Sequence, residues 1–467
     1  MYCFPSRTFP MQRTPEPSTD GSWLSFKNLG QIWRGRRRYL NAIVTVYKID
    51  RSYRKVRART KHLSDWKERK PYFKAAHPKN AELLYNLCKH NGATWVKLAQ
   101  FMSARPDMLP REYIDALKKL QNDAKPVPFH DVVPVMEDQL GANWRDHFEW
   151  VEEDPAATAS IGQVHRAKLK DGRLVAIKVQ LPNVKELFYQ DFGLFRMMAE
   201  LLKSRVPQID IKQMIEQLLK MTAEELDFRI EAENMRIFSQ QQHHPRIRIP
   251  VLVEDLSKEK VIVTEWIEGT RLVSHLDRNN KEEARDLLSV VQDSYMQQIT
   301  KFGVFQADPH PGNFMVDQDK NVWILDYGVI GRLTPKETMN YTRLMLYMLN
   351  QGKGQDETQA GENLGKLMQE CGFGGIDAET VEDLSQYFIR TKRGKPEAKT
   401  RAGEIMRDMK KKGVDEVIEE LMEVFQEHRI IVPDSFVGMS RVLMTVGGLM
   451  QIYRVPFNMM PGMSKAS

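Results

Sequence analysis

The chain has 467 residues, 42% hydrophobic and 9% aromatic, enough for a sizeable core and two or three domains. Cys3, Cys88 and Cys371 are scattered and no His/Cys cluster has zinc spacing, which excludes a disulfide scaffold and a zinc module and points to a reducing compartment. The formal charge of +7 is unevenly placed: residues 27–70 carry 15 Lys/Arg against 3 Asp/Glu, a net +12, which leaves −5 for the remainder.

The first 23 residues, with four Pro and several Ser/Thr, have the composition of a disordered segment. They lack the apolar core of a secretory signal, and Glu16 and Asp20 argue against a transit peptide. In the basic segment, Leu40, Ile43, Val44 and Tyr47 recur at helical spacing between Arg34-Gly35-Arg36-Arg37-Arg38 and Arg51, Arg54, Lys55, Arg57, Arg59, Lys61. An amphipathic basic helix of this kind suits an anionic membrane surface, at roughly 1 kcal/mol per well-placed cation. RNA is the rival partner on composition, and a solvated arm or a helix packed on the chain's own acidic face is the plainer alternative.

Residues 155–167 read PAATASIGQVHRA and lead through an Asp171-Gly172 turn to Val175-Ala176-Ile177-Lys178. That apolar strand ends in the Lys that kinases set against the α- and β-phosphates. A kinase has a glycine-rich hairpin before it, whose backbone N–H groups close over the phosphates. Here alanines stand in its place with one glycine, Gly162, so the loop is stiffer. Apolar-periodic stretches at 186–203 and 211–222 read as inserted helices, and they put Glu231 fifty-three residues after Lys178. Glu231, among Phe228, Ile230 and Phe238, is the candidate helix carboxylate that orients Lys178; an ordinary surface Glu is the alternative. Thr264 to Gly269 (TEWIEG) is the expected hinge, with Glu265 and Ile267 meeting adenine through backbone groups.

Asp308 precedes Asn313 by five residues, and Asp326 follows thirteen later at the head of Asp-Tyr-Gly, the skeleton of a kinase catalytic loop. Phosphoryl transfer needs a carboxylate at the attacking hydroxyl and oxygen ligands holding Mg²⁺ against the phosphates. Phe314–Val316 and Val322–Leu325 flank a polar turn, so they read as a short hairpin presenting Asn313 and Asp326 at one end. A polar turn is what an isolated D-x-x-x-x-N would be; Asp326 and the upstream Lys strand argue otherwise. His310 reads as structural. Gln306 stands where kinase loops carry His or Tyr, and Tyr327 where Phe is commoner, so a Gln306–Tyr327 hydrogen bond is expected in place of an apolar contact. Gly328 to Pro335 runs at once into a helical pattern (Met339, Leu344, Met345, Met348) with no A-P-E. A small-molecule or lipid acceptor, or ATP hydrolysis, fits this better than a protein substrate. The longest uncharged apolar run, Val442 to Tyr453, has twelve residues, short of the roughly twenty that span a bilayer.

The runs A-T-A-S-I-G-Q-V-H, V-A-I-K, E-L-D-F-R-I-E-A-E-N and A-D-P-H-P-G-N together resemble the AarF/UbiB family of atypical kinases over roughly residues 75–460. That resemblance implies a protein-kinase-like fold, ATP (or ADP) and Mg²⁺ as cofactors, a connection to coenzyme Q and other isoprenoid-quinone lipids, and an N-terminal extension packed over the active site. It implies no established phosphoacceptor. The family's K-x-G-Q signature matches Trp95 to Ser103, with Lys97 and Gln100 in place and Ala99 where the family has glycine. By resemblance, Lys97 and Gln100 reach the nucleotide site, and Glu225 and Asp227 of the E-x-D element lie against Lys97.

The expected fold is α/β (α+β), a two-lobed protein-kinase-like fold with a helical N-terminal extension and a mostly helical C-lobe. Its parts are a disordered N-terminus at 1–26, a basic amphipathic segment at 27–74, the extension at 75–140, the N-lobe at 141–268 and the C-lobe at 269–467. Asp308 is the base or acceptor positioner, Lys178 and Glu231 the phosphate-holding pair, Asn313 and Asp326 the metal ligands. Ala156, Ala157, Ala159, Ser160, Gly162 and Gln163 form the phosphate lid. The expected partners are an anionic membrane surface, an isoprenoid or quinone lipid or the enzymes that make it, and a second copy of the chain; nucleic acid is disfavoured. The expected location is cytoplasmic, peripheral on the inner face of a membrane. The rival reading is a weakly active pseudokinase scaffold that senses nucleotide.

Overall fold

The structure, a computed structural model, describes residues 26–64, 66–103, 109–120, 126–203, 211–241, 243–278, 281–349, 357–376 and 430–457, with Phe425 and His428. The segment expected to be disordered lies almost wholly outside these residues.

Helices come first: α1 (Phe26–Arg59), α2 (Trp66–Asn91), α3 (Ala93–Ser103) and α4 (Arg111–Lys118). Their apolar faces, among them Ala42, Leu87, Trp95 and Leu117, join one core that continues through the later helices to Val455. Helix α5 (Phe129–Leu140) then covers one face of an antiparallel sheet built from β1 (Phe148–Val151), β3 (Gly162–Leu169), β4 (Leu174–Gln180) and β6 (Val261–Glu265), with the short β2 (Ala157–Thr158) on β3.

The sheet has apolar matter on both faces, and residue parity decides which side chain goes where. Ala167, Leu169, Val175, Ile177, Val179, Val261 and Val263 pack under α5 with Phe129, Val132, Met136 and Trp144 in a second, separate core. Lys178, one residue out of phase with Ile177 and Val179, therefore points to the opposite face, paired across strands with Val164 and Ile262. On that side lie α6 (Val184–Lys203), α7 (Ile211–Glu225) and α8 (Phe228–Ser239), the first two matching the inserted helices expected from periodicity. Asp227 caps α8 by accepting the Arg229 N–H, which fixes where the helix starts.

The C-lobe holds a small sheet in the order β5 (Ile247–Arg248), β10 (Val322–Ile324), β9 (Phe314–Val316) and β7 (Thr270–Arg271), beside the pair β8 (Val304–Gln306) and β11 (Ile330–Arg332). Around these are α9 (Leu272–Arg278), α10 (Lys281–Gln297), α11 (Pro335–Leu349), α12 (Glu357–Glu370) and α13 (Asp434–Ile452). The β9–β10 hairpin forms as its alternation predicts. Its turn is closed by the Asp317 carboxylate, which accepts from the Asn321 backbone (2.8 Å), the Asn321 amide (3.0 Å) and the Trp323 indole (2.8 Å).

The C-terminal apolar run is part of a longer helix. Helix α13 starts eight residues before the uncharged stretch and carries Arg441 within it, so by length and composition alone its 19 residues are enough to cross a membrane. More than half of that window, 56%, is buried inside the fold, where Val442, Leu443 and Val446 belong to the main core.

Candidate active site

Strand β4 and helix α8 bring Lys178 and Glu231 together. The Lys178 ammonium donates to both Glu231 oxygens, at 3.0 and 2.8 Å, and stands 3.9 Å from the Asp326 carboxylate. The Phe228 ring lies 5.1 Å below the ammonium and closes the site on the apolar side. Burial works against the charged form of Lys178, yet Asp326, Glu231 and Glu225 outweigh it and hold its pKa above the ordinary lysine value. Glu231 is pushed up, chiefly by burial and also by the neighbouring Asp326 charge, against the pull of Lys178. Burial also opposes ionisation of Asp326, but Lys178, the Gly328 N–H and Lys97 together leave its pKa lowered.

Lys97 reaches this cluster from α3. Its ammonium pairs with the Glu225 carboxylate at the end of α7, and both side chains are largely buried. Asp227 does not join them. Its oxygens take the Arg229 backbone N–H (3.0 Å) and guanidinium (2.8 and 2.7 Å), so capping α8, and not meeting Lys97, is its role. Gln100, one turn after Lys97, is half-buried, and its side-chain amide has no hydrogen-bond partner among the described residues.

The loop after β8 sets Asp308 at the mouth of the site, exposed. Asn313 donates its amide to the Asp308 carbonyl (3.1 Å), which leaves the amide oxygen as the group free for a cation. Asp326 uses one oxygen to cap the Gly328 N–H at 2.8 Å and turns the other toward Lys178. An ionised carboxylate and an amide oxygen are hard oxygen donors, and they fit Mg²⁺. No group of three or more His, Cys, Asp or Glu side chains suits a metal among the described residues. His310 accepts from the Gly312 N–H at 3.1 Å and holds the loop in shape.

Gln306 is the hub of the loop's hydrogen bonds. Its amide donates to the Asp308 carbonyl (2.7 Å) and the Asp326 carbonyl (3.3 Å), while its oxygen accepts from the Asp308 N–H (3.1 Å). The expected partner, Tyr327, is wrong. The hydroxyl bonded to Gln306 belongs to Tyr295 on α10, at 2.8 Å, and Gln298 one turn later accepts the Gln306 N–H at 3.0 Å. Tyr327 packs on Phe238 with ring centroids 5.0 Å apart, and its buried hydroxyl is unpartnered among the described residues. Its carbonyl accepts from the Asn234 amide at 2.8 Å, which ties the Asp-Tyr-Gly segment to α8. Tyr295 and Gln298 carry no motif, so sequence offered no signal for them.

The lid differs from the expectation in two ways. Gln163 faces away from Lys178: it is paired with Val179, on the α5 side. There its amide donates to Val127 O (3.3 Å) and His165 Nε2 (2.9 Å), and its oxygen accepts the Val127 N–H (3.1 Å). The N–H groups of Ala156 and Ala159 are engaged by the carbonyls of Val164 and Gly162, both at 2.8 Å, which leaves the turn at Ser160 as the free tip. Ala157 pairs with Val164 on the Lys178 side of the sheet. Gly162 is required for a different reason from phosphate contact, since a Cβ there would lie 2.8 Å from the Val179 carbonyl oxygen. At the hinge, Glu265 takes the Val251 carbonyl with its N–H at 2.8 Å, while the Ile267 N–H has no partner among the described residues.

Residues 119–357 match the ABC1 atypical kinase-like domain. A protein of the hydrogenase 1 5′ region in Clostridium pasteurianum is 33% identical over 261 residues, 55% of this chain and 49% of that one. An uncharacterised Synechocystis protein is 30% identical over 324 residues, covering 66% of this chain and 78% of its own. AarF domain-containing kinase 1 of Drosophila melanogaster is 31% identical over 299 residues, covering 62% and 58%. The chain thus spans about half the length of the clostridial relative. Among solved structures, the Mycobacterium tuberculosis protein Rv3197 in complex with erythromycin superposes with a TM-score of 0.51 at 26% identity, over 76% of this chain and 87% of that one.

Proposed function

The chain belongs to the ABC1 family of atypical kinase-like proteins, and from that premise we propose that it binds ATP or ADP with Mg²⁺ and transfers or hydrolyses the terminal phosphoryl group. The observation that carries the reading is the Lys178 ammonium held between Glu231 and Asp326. Lys178 holds the α- and β-phosphates, and Glu231 keeps it aimed there. Asp326 and Asn313 hold the metal, which when bound neutralises charge on the phosphate oxygens. Asp308, exposed at the mouth, takes the proton of the attacking hydroxyl or orients water, and Gln306 keeps its backbone in line with Asp326.

The acceptor on this reading is a small molecule or lipid headgroup of isoprenoid-quinone metabolism, met at the cytoplasmic face of a membrane. What supports it is the short passage from Asp326 through β11 into α11, with no segment to seat a peptide. A nucleotide-sensing scaffold is the second reading. It is favoured by the Lys97–Glu225 pair beside the cleft and by the engaged lid N–H groups.

ATP turnover by the purified protein in Mg²⁺, with and without anionic liposomes, separates the two. Slow hydrolysis is expected, with Asp308→Asn sparing nucleotide binding and cutting turnover by roughly 10²–10⁴. Wild-type turnover in Asp308→Asn refutes the catalytic assignment and leaves the scaffold.

A further inference from the structure

Helix α1 has two unlike faces. Ala42, and Thr60 just past the helix end, are buried against the fold, and Tyr53 on the same side shares hydrogen bonds with His77 (2.8 Å) and Tyr113 (2.7 Å). The other side exposes Leu40 (59%), Ile43 (45%), Val44 (47%) and Tyr47 (55%), at spacing i, i+3, i+4, i+7. Single exposed apolar side chains are ordinary; four in one row on one helix are a surface held open for something.

The same row continues into cations. Arg51, Arg54 and Lys55 follow one to two turns later on the face that carries Leu40 and Val44. Arg51 and Lys55 are exposed with no ion-pair partner among the described residues, while Arg54 pairs with Asp50 at 2.8 Å and lies 5.7 Å from the Tyr47 ring centre. The +12 of residues 27–70 against −5 elsewhere orients the molecule before contact, because an anionic surface attracts this segment and repels the remainder.

We propose that the outward face of α1 docks on an anionic phospholipid bilayer, with Leu40, Ile43, Val44 and Tyr47 in the acyl boundary and Arg51 and Lys55 on lipid phosphates. The apolar row fits a lipid interface better than RNA, since three of its four members are aliphatic and offer no ring for a base to stack on. Docking extends the lipid reading given above, yet it stands without any phosphoryl transfer.

Co-sedimentation with vesicles of phosphatidylcholine, alone and mixed with phosphatidylglycerol, tests it on the full chain. Binding is expected only with phosphatidylglycerol. Arg51→Ser with Lys55→Ser weakens it roughly thirtyfold, as two lost lipid-facing cations require. Ile43→Asp with Val44→Asp removes most binding even at low salt. Thermal melting and nucleotide affinity measured on both variants stay at wild-type values, which confines the loss to docking. Should the Asp pair melt early, Leu40→Ser with Tyr47→Ser repeats the test without adding charge to the helix. Undiminished vesicle binding by the Asp or Ser apolar variants overturns the proposal, as does an RNA gel shift where vesicles give no sedimentation. A wild-type protein that binds vesicles yet never turns over ATP keeps this inference and loses the catalytic one.

Discussion

Two lysine–glutamate pairs flank the Asp326 region, with similar burial but different construction. Lys178–Glu231 joins β4 to α8 inside the kinase lobe, with side chains 19% and 7% exposed. Lys97–Glu225 joins the extension to the end of α7, with side chains 20% and 10% exposed. The first is fixed by strand register and a capped helix, so its geometry survives as long as the lobe is folded. The second depends on how the helical extension sits on the lobe. Equal burial therefore does not mean equal construction: one pair is held within the kinase lobe, and the other joins that lobe to the extension.

Asp326 contacts Lys178 and feels the charge of Lys97, and removing it tests the common element with the largest effect. Asp326→Asn should weaken Mg²⁺-dependent nucleotide binding on the order of a hundredfold or more, measured by calorimetry with and without the metal. Unchanged affinity would place the metal elsewhere. The pairs themselves are compared by Glu231→Gln and Glu225→Gln in denaturant melts. Breaking a buried pair costs about 3–5 kcal/mol, and Glu231→Gln belongs at the lower end because Lys178 keeps Asp326. Glu225→Gln should cost about 1–2 kcal/mol, since the extension can shift and wet Lys97. Equal costs would mean that the two pairs are held alike.

A smaller effect is expected from Lys97→Ala. Lys97 helps keep Asp326 ionised, and its ammonium adds positive charge beside the cleft, where a Mg·ATP complex, still net negative, is attracted. Its removal should weaken Mg·ATP binding by about fivefold, roughly the worth of one charge in a partly wet site. Unchanged ATP and ADP affinities would mean that the extension does not act on the cleft. The smallest effect is on pH dependence. The pKa of Glu231 is raised above 4.5 and that of Asp326 is lowered below 3.8, so acidification protonates Glu231 first. For Asp326, the stabilisation by its partners is present above the unfolded value and is lost as pH falls through the lower folded one. The raised Glu231 behaves oppositely: its contribution is full at low pH and is lost as pH rises through its folded pKa. Nucleotide affinity should therefore weaken as the pH falls toward 4.5, before Asp326 titrates, and Glu231→Gln should abolish that first step.

The hairpin at 314–324, the Lys178 strand and the inserted helices could be read from the chain because each is set by local period and spacing. Glu231 could be found although it lies fifty-three residues from its partner, because its motif sits at the start of a patterned helix. Gln163 was placed on the wrong face for a physical reason. Both faces of β3 are covered, so apolar alternation marks two cores and does not say which one carries the cleft; the register Gln163↔Val179 settles it.

What the amino-acid sequence determined by itself is the inventory of charged groups and their order along the chain: Lys97, Lys178, Glu231, Asp308, Asn313, Asp326, and the basic row on α1. Tertiary structure alone decided which of two neighbouring acids meets Lys97. Glu225 does so at the end of α7, while Asp227, two residues on, is taken by its own helix cap. Only the folded chain, likewise, gave Gln306 its partners, Tyr295 and Gln298, from a helix packed behind the loop. A buried polar group must be satisfied by whatever donor the packing brings within about 3 Å, and sequence distance has no say in that.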